Sequence, residues 1–63
     1  MSRPRPLEEL TAASAALVTA RQSLADAKFL ARNGMANNLT FATSVEITAY
    51  HRWLRAHAAA AAQ

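Results

Sequence analysis

The chain contains no cysteine, one glycine and two prolines in 63 residues, and each scarcity removes a class of explanation. Without cysteine there is neither a disulfide nor a thiolate zinc site to staple a small fold. With a single glycine there is no glycine-rich loop to cradle a phosphate. No uninterrupted apolar run approaches the roughly 20 residues that span a bilayer, and SRPRP at positions 2–6 is not followed by an apolar segment of the signal-peptide kind. The expected setting is therefore a cytoplasm, or a particle assembled in one, with no membrane partner. Aromatic residues make up 6% of the chain, so few large side chains are available to fill a core. A chain of this length forms one domain at most and buries only about 60% of the surface its unfolded form exposes. Stability has to come from a compact apolar layer or from association with other chains.

Seven Lys and Arg against four Asp and Glu give a formal charge of +3 and a pI near 10.7, but the basic residues are scattered. Arg3 and Arg5 lie near the N-terminus, Arg21, Lys28 and Arg32 in the middle, and Arg52 and Arg55 towards the end. Such scatter suits a solvated surface. It permits proximity to packaged or free DNA without specifying a groove reader.

What is present in abundance is helical pattern. Pro6 suits a first helical position, and Glu8 and Glu9 place negative charge where the helix dipole favours it. The spacing predicts a helix over 6–26, in which Leu10, Ala13, Leu17, Ala20 and Leu24 recur at three- and four-residue steps. Leu7 and Val18 widen this stripe on one flank, with Ser14 and Arg21 between. The many alanines make a shallow surface that invites close approach. A second helix is predicted from 44 to 58 or beyond, with Ile47, Tyr50, Leu54, Ala58 and Ala61 on one side and Thr48, Arg52 and Arg55 on the other. The alanine run that follows has high helix propensity and little to bury, and reads as a low-complexity tail.

Between the helices, residues 28–42 read as a β-hairpin. Phe29-Leu30 and the segment from Leu39 flank Asn33-Gly34, a turn dipeptide whose residues both tolerate positive φ. Leu39 and Phe41 alternate with Thr40 and Ala42 at strand spacing. Thr43 is then placed as the N-cap of the second helix, Glu46 completes a capping box, and Ser44 falls in the first turn. The expected fold class is a small α+β unit, two antiparallel helices packed with a β-hairpin in the order helix-strand-strand-helix. Leu17, Leu24, Phe41, Ile47 and Leu54 are its expected central core. Residues 1–5 are read as a flexible basic arm, 6–57 as the single domain and 58–63 as an alanine-rich C-terminal tail.

Two segments, EELTAASAAL at 8–17 and FATSVEITAYHRWL at 41–54, resemble the phage head-to-tail joining protein W (gpW) family of lambda-like tailed phages, a resemblance that covers residues 7–56. It implies a role that neither composition nor spacing shows. A gpW-like protein is a structural head completion protein, or head-tail connector, of the virion neck. It docks at the portal vertex of a filled capsid in a multi-copy ring, helps retain the packaged DNA and offers an attachment surface to the next neck or tail component. The implied partners are the portal protein, that next component, and neighbouring copies of the chain in a ring following the portal's twelvefold symmetry. The resemblance includes no catalytic signature.

The residues themselves point the same way on chemistry. His51 and His57 sit on one helix without the i, i+4 spacing of a zinc pair. Ser14, Ser23 and Ser44 have no histidine at a telling spacing and no nucleophile elbow. Glu8 and Glu9 diverge by about 100° as helix neighbours, so they do not form a carboxylate pair. No enzyme, cofactor or metal site is expected. Residues that suit partner contact are Arg3 and Arg5 in the proline-stiffened arm, Met35 at the expected hairpin tip, Arg52 and Arg55 on the solvent side, and Trp53 beside Tyr50 and His57 and near Glu46. Core closure is the competing role for Trp53, and plain solvation for the arginines. Two other function classes stay open. One is a small basic DNA-binding regulator, which lacks helix-turn-helix spacing; the other is an antitoxin-like or other oligomerising helper, which alanine-rich helices suit.

Overall fold

A computed structural model describes residues 5–62 as two helices and the turn that joins them. Helix α1 runs Pro6–Arg32 and helix α2 runs Leu39–Ala61. Among the described residues there is no strand, so the α+β expectation is overturned and the fold is an all-helical hairpin. Its principal extents are 47 × 23 × 14 Å, the proportions of a single layer of two helices.

The hairpin expectation failed at both of its arms, for reasons the hydrogen bonds make plain. α1 begins at Pro6, where the sequence placed it, and the carboxylate of Glu8 accepts the Arg5 N–H at 3.4 Å. It does not stop at residue 26, however, but continues through Lys28, Phe29 and Leu30 to Arg32. There the Gly34 N–H donates to the Ala31 carbonyl at 3.2 Å and the Met35 N–H to the Leu30 carbonyl at 2.9 Å. This pair of bonds is the Schellman arrangement, with Gly34 at φ 68° as its left-handed residue. A helix end and a two-residue hairpin turn both require positive φ, so Asn33-Gly34 marks a reversal of the chain without saying which kind.

The second arm is the first turn of α2. Asn37 Oδ1 accepts the Leu39 N–H at 3.0 Å while Asn37 Nδ2 donates to the Met35 carbonyl at 3.0 Å, and the Asn38 carbonyl accepts the Ala42 N–H at 2.8 Å. Thr43, expected as the N-cap, therefore lies a turn inside the helix. Its hydroxyl donates back to the Leu39 carbonyl at 2.8 Å, as that of Ser44 does to Thr40 at 3.2 Å. The apparent strand alternation was four residues long, too short to separate a period of 2 from one of 3.6. Leu39 and Ala42, three apart, turn inward, while Thr40 and Phe41 face solvent. At the other end the supposed tail alanines 58–61 are the last turn of α2.

The two helices run antiparallel, since Glu9, Ser14 and Arg21 along α1 meet Arg52, Trp53 and Glu46 of α2. What lies between them is mostly alanine. Ala13, Ala20 and Ala27 recur every seventh residue on α1, Ala42, Ala49 and Ala56 do so on α2, and all six are buried. Side-chain size sets interhelix distance within about 8–10 Å, and alanine at the contact favours the short end. Among the described residues Leu17 is the one larger buried residue; with Ala20 and Ala49 it forms the central cluster, against which Trp53 packs.

The expected core is corrected accordingly. Leu17 is buried and Leu24 half-buried, but Phe41, Ile47 and Leu54 are exposed. On α2 the stripe chosen for hydrophobicity was 47, 50 and 54, whereas the row facing α1 is the less hydrophobic 42, 49 and 56. Contact distance decided the matter, not side-chain apolarity.

Two outcomes test this packing. Ala20→Leu should lower stability by about 1–3 kcal/mol, the usual cost of overpacking a tight contact; a urea or thermal melt matching the parent would show that the helices do not approach closely there. Gly34→Ala meets no atom within 4 Å of the added methyl, so only the backbone conformation is penalised, at about 1–2 kcal/mol. A larger loss would point to a side-chain role for the turn.

Candidate interaction surface

A helix hairpin has two broad faces, and here they differ in kind. One is marked by the Trp53 indole, whose Nε1–H donates to Ser14 Oγ at 3.1 Å, and by Arg21 Nε, 3.6 Å from Glu46 Oε1. One helical turn from these residues stand Val18 on α1 and Tyr50 on α2, while Ile47 and Leu54 lie further round α2, towards its outer edge. Their exposures are 56%, 38%, 47% and 41%. Tyr50 and Trp53 have ring centroids 6.3 Å apart at an interplanar angle of 16°, and Trp53 and His57 lie 5.2 Å apart. These large side chains surround a seam of alanine, so their apolar surface extends outward instead of being consumed between the helices. Four of the polar groups there are paired across the seam, Trp53 with Ser14 and Arg21 with Glu46.

The opposite face carries exposed Phe41 and Val45 on α2 beside polar Ser44 and Thr48. It carries a shallow open groove of about 340 Å³ lined by Ala16, Ser44, Val45, Thr48, Ala49 and Arg52. Arg52 is tied down there: its Nε donates to Glu9 Oε1 at 2.7 Å, bridging the N-terminal part of α1 and the C-terminal half of α2. That hydrogen bond from the Arg52 guanidinium holds the Glu9 carboxyl below its ordinary value, and the same bond raises Arg52. Half-exposed ion pairs contribute little net stability, and the pair serves chiefly to fix the register of the two helices.

The residues singled out from the sequence are thus dispersed. Arg3 lies outside the described residues. Arg5 is the exposed residue preceding α1, Met35 is exposed in the turn between the helices, and Arg55 is exposed on α2. Arg52, expected to project freely, is half-buried against Glu9, while Trp53 packs partly buried against the cluster of Leu17, Ala20 and Ala49 and donates to Ser14. Sequence reasoning missed the cross-helix partners Glu9, Ser14 and Arg21. The signal that locates them is the seven-residue alanine repeat, because residues flanking that row on each helix are the ones within reach of the other.

Among the described residues no helix is long and apolar enough to cross a membrane, and no group of three or more His, Cys, Asp or Glu could hold a metal ion. No family model matches the chain, and no curated protein or solved structure matches it. The likeness to the gpW family rests on the two quoted segments alone.

A group whose folded pKa is depressed adds stability above its unfolded value and loses it as the pH falls through the folded one. Glu9 is such a group, so acidification through the carboxylate range, about pH 4 and below, should remove the Arg52 clamp. The parent should lose melting temperature there more steeply than Glu9→Gln, whose side chain does not titrate. Parallel pH profiles for the two proteins would show that the pair carries no linkage.

Proposed function

We propose that this protein is a non-enzymatic association module, a helical hairpin that works by laying its Trp53 face on another helical surface within a multi-copy assembly. The observation that carries this reading is the inversion of its packing. Alanine fills the contact between the helices while Ile47, Tyr50 and Leu54 are left exposed along one stripe of α2. Contiguous exposed apolar surface with a polar surround is the mark of an interaction site, and an aromatic such as Trp53 at its centre is the usual anchor. Of the function classes open from the sequence, the oligomerising helper fits this surface best.

The head-tail connector is one setting in which such a module would work, proposed on the residue likeness of 8–17 and 41–54. Docking onto a portal and against neighbouring copies calls for a surface of this kind, but the helix-strand-strand-helix fold that accompanied the likeness is not the fold of this chain. A DNA-binding role has less support: Arg52 is occupied by Glu9 and Arg21 by Glu46, which leaves Lys28 and Arg32 as the exposed basic residues on the α1 side of the Trp53 face.

The test is position-resolved crosslinking in the producing cell. A photoreactive residue at position 50 should give adducts with a polypeptide, and one at position 48, on the opposite face, should not. Failure of position 50 to yield any polypeptide adduct would remove the reading.

A further inference from the structure

We infer that Asn33 is a self-modifying site, converted to aspartate and isoaspartate by attack of the Gly34 backbone nitrogen on its side-chain amide, and that the folded turn holds this reaction off. The two residues are neighbours in sequence, and both are exposed in the turn that ends α1. Attack by a backbone nitrogen on the preceding side chain is hindered by a side chain on the attacking residue, and Gly34 has none. A methyl group built there meets no atom within 4 Å, so water reaches the site freely. Asn37 and Asn38 are followed by Asn38 and Leu39, whose side chains obstruct the same step.

The reaction needs only water. The Gly34 nitrogen bonds to Asn33 Cγ, the Cγ–Nδ2 bond breaks, and the Gly34 amide proton leaves with the side-chain nitrogen as ammonia, closing a succinimide ring. Water then opens that ring at either carbonyl. One opening gives aspartate; the other gives isoaspartate, whose main chain runs through the former side chain and is longer by a carbon. The folded turn opposes the first step in three ways. The Gly34 N–H is donated to the Ala31 carbonyl at 3.2 Å, Asn33 Nδ2 is held on the Phe29 carbonyl at 2.8 Å, and Asn33 at ψ 11° turns the Gly34 nitrogen away from its own side chain. The reaction therefore proceeds from an opened turn, and helix ends open more readily than core helices.

The products do not rebuild the turn. An aspartate carboxylate accepts but does not donate, so the bond to the Phe29 carbonyl is lost, and negative charge is placed at the C-terminus of α1, where the helix dipole disfavours it. Isoaspartate lengthens the main chain between the Schellman donors, Gly34 and Met35, and their acceptors, Ala31 and Leu30. Opening of the connection between the helices is thus recorded covalently, and the formal charge of +3 falls by one.

The experiment ages the purified full chain at mildly alkaline pH, in buffer and in guanidinium chloride, and maps it by peptide mass spectrometry with isoaspartate counted separately. Asn33 should be the asparagine converted, and at least about tenfold faster in denaturant than in buffer, because the rate follows the population of the open turn. Gly34→Ala should slow conversion in denaturant, where its effect on folding plays no part. Asn33→Asp should melt below Asn33→Ala, which loses the same bond without gaining the charge. Conversion at Asn37 or Asn38 ahead of Asn33 would overturn the site, and equal rates in buffer and denaturant would overturn its control by the fold. An Asn33→Asp variant melting with or above Asn33→Ala would overturn the claim that the product weakens the turn.

Discussion

The alanine row on each helix is the constraint from which the rest of this structure follows. Two helices with alanine every seventh residue approach until backbone limits them, so the seam absorbs almost no large side chains. Leucines and aromatics at neighbouring positions are displaced to its edges. On α1 they fall where Leu17 is buried and Leu10 and Leu24 half-buried; on α2 they fall at Ile47, Tyr50 and Leu54, outside the contact. A broader residue in the seam would part the helices and draw those side chains inward, giving a better filled hairpin with less to offer a partner. The close seam and the exposed face are therefore one feature seen from two sides.

Polar bonds then decide which of the possible alanine registers is adopted. Small side chains interlock poorly and would allow one helix to slide along the other. Trp53 to Ser14, Arg52 to Glu9 and Arg21 to Glu46 each join residues far apart in sequence, and together they flank the seam on both faces. None is worth much alone in an exposed setting, yet a shifted register leaves all three unmade at once. The Schellman turn at Gly34 and the Asn37 contacts set the connection between the helices, so the register is pinned from the turn as well as along the seam.

Much of this was legible before the structure, and the failures share a cause. The start of α1 at Pro6, its inward row Leu10-Ala13-Leu17-Ala20-Leu24 and the flank formed by Leu7, Ser14, Val18 and Arg21 were all readable from spacing. The same reading noted that the alanines invite close approach. Carried over to α2, that observation would have selected Ala42, Ala49 and Ala56; weighing residues by hydrophobicity selected Ile47, Tyr50 and Leu54 instead. The hairpin expectation arose from Asn33-Gly34 and a four-residue alternation, two signals that helices use as readily as strands. The alanine repeat marks which flank of each helix holds the cross-helix partners, but no single-helix pattern states the register that pairs Glu9 with Arg52 or Ser14 with Trp53.

A hairpin built this way has consequences for how it folds. The contacts within one copy comprise a row of methyl groups, one buried leucine and one tryptophan edge, which is little to set against the conformational entropy of ordering two long helices. Helical propensity from the alanines helps each helix individually but does not select the hairpin. Whatever covers Tyr50, Leu54 and Ile47 adds apolar burial to the same cooperative unit, because Trp53 belongs both to the inner cluster and to the outer face. If the proposed association holds, partner binding and internal packing are coupled through this one side chain.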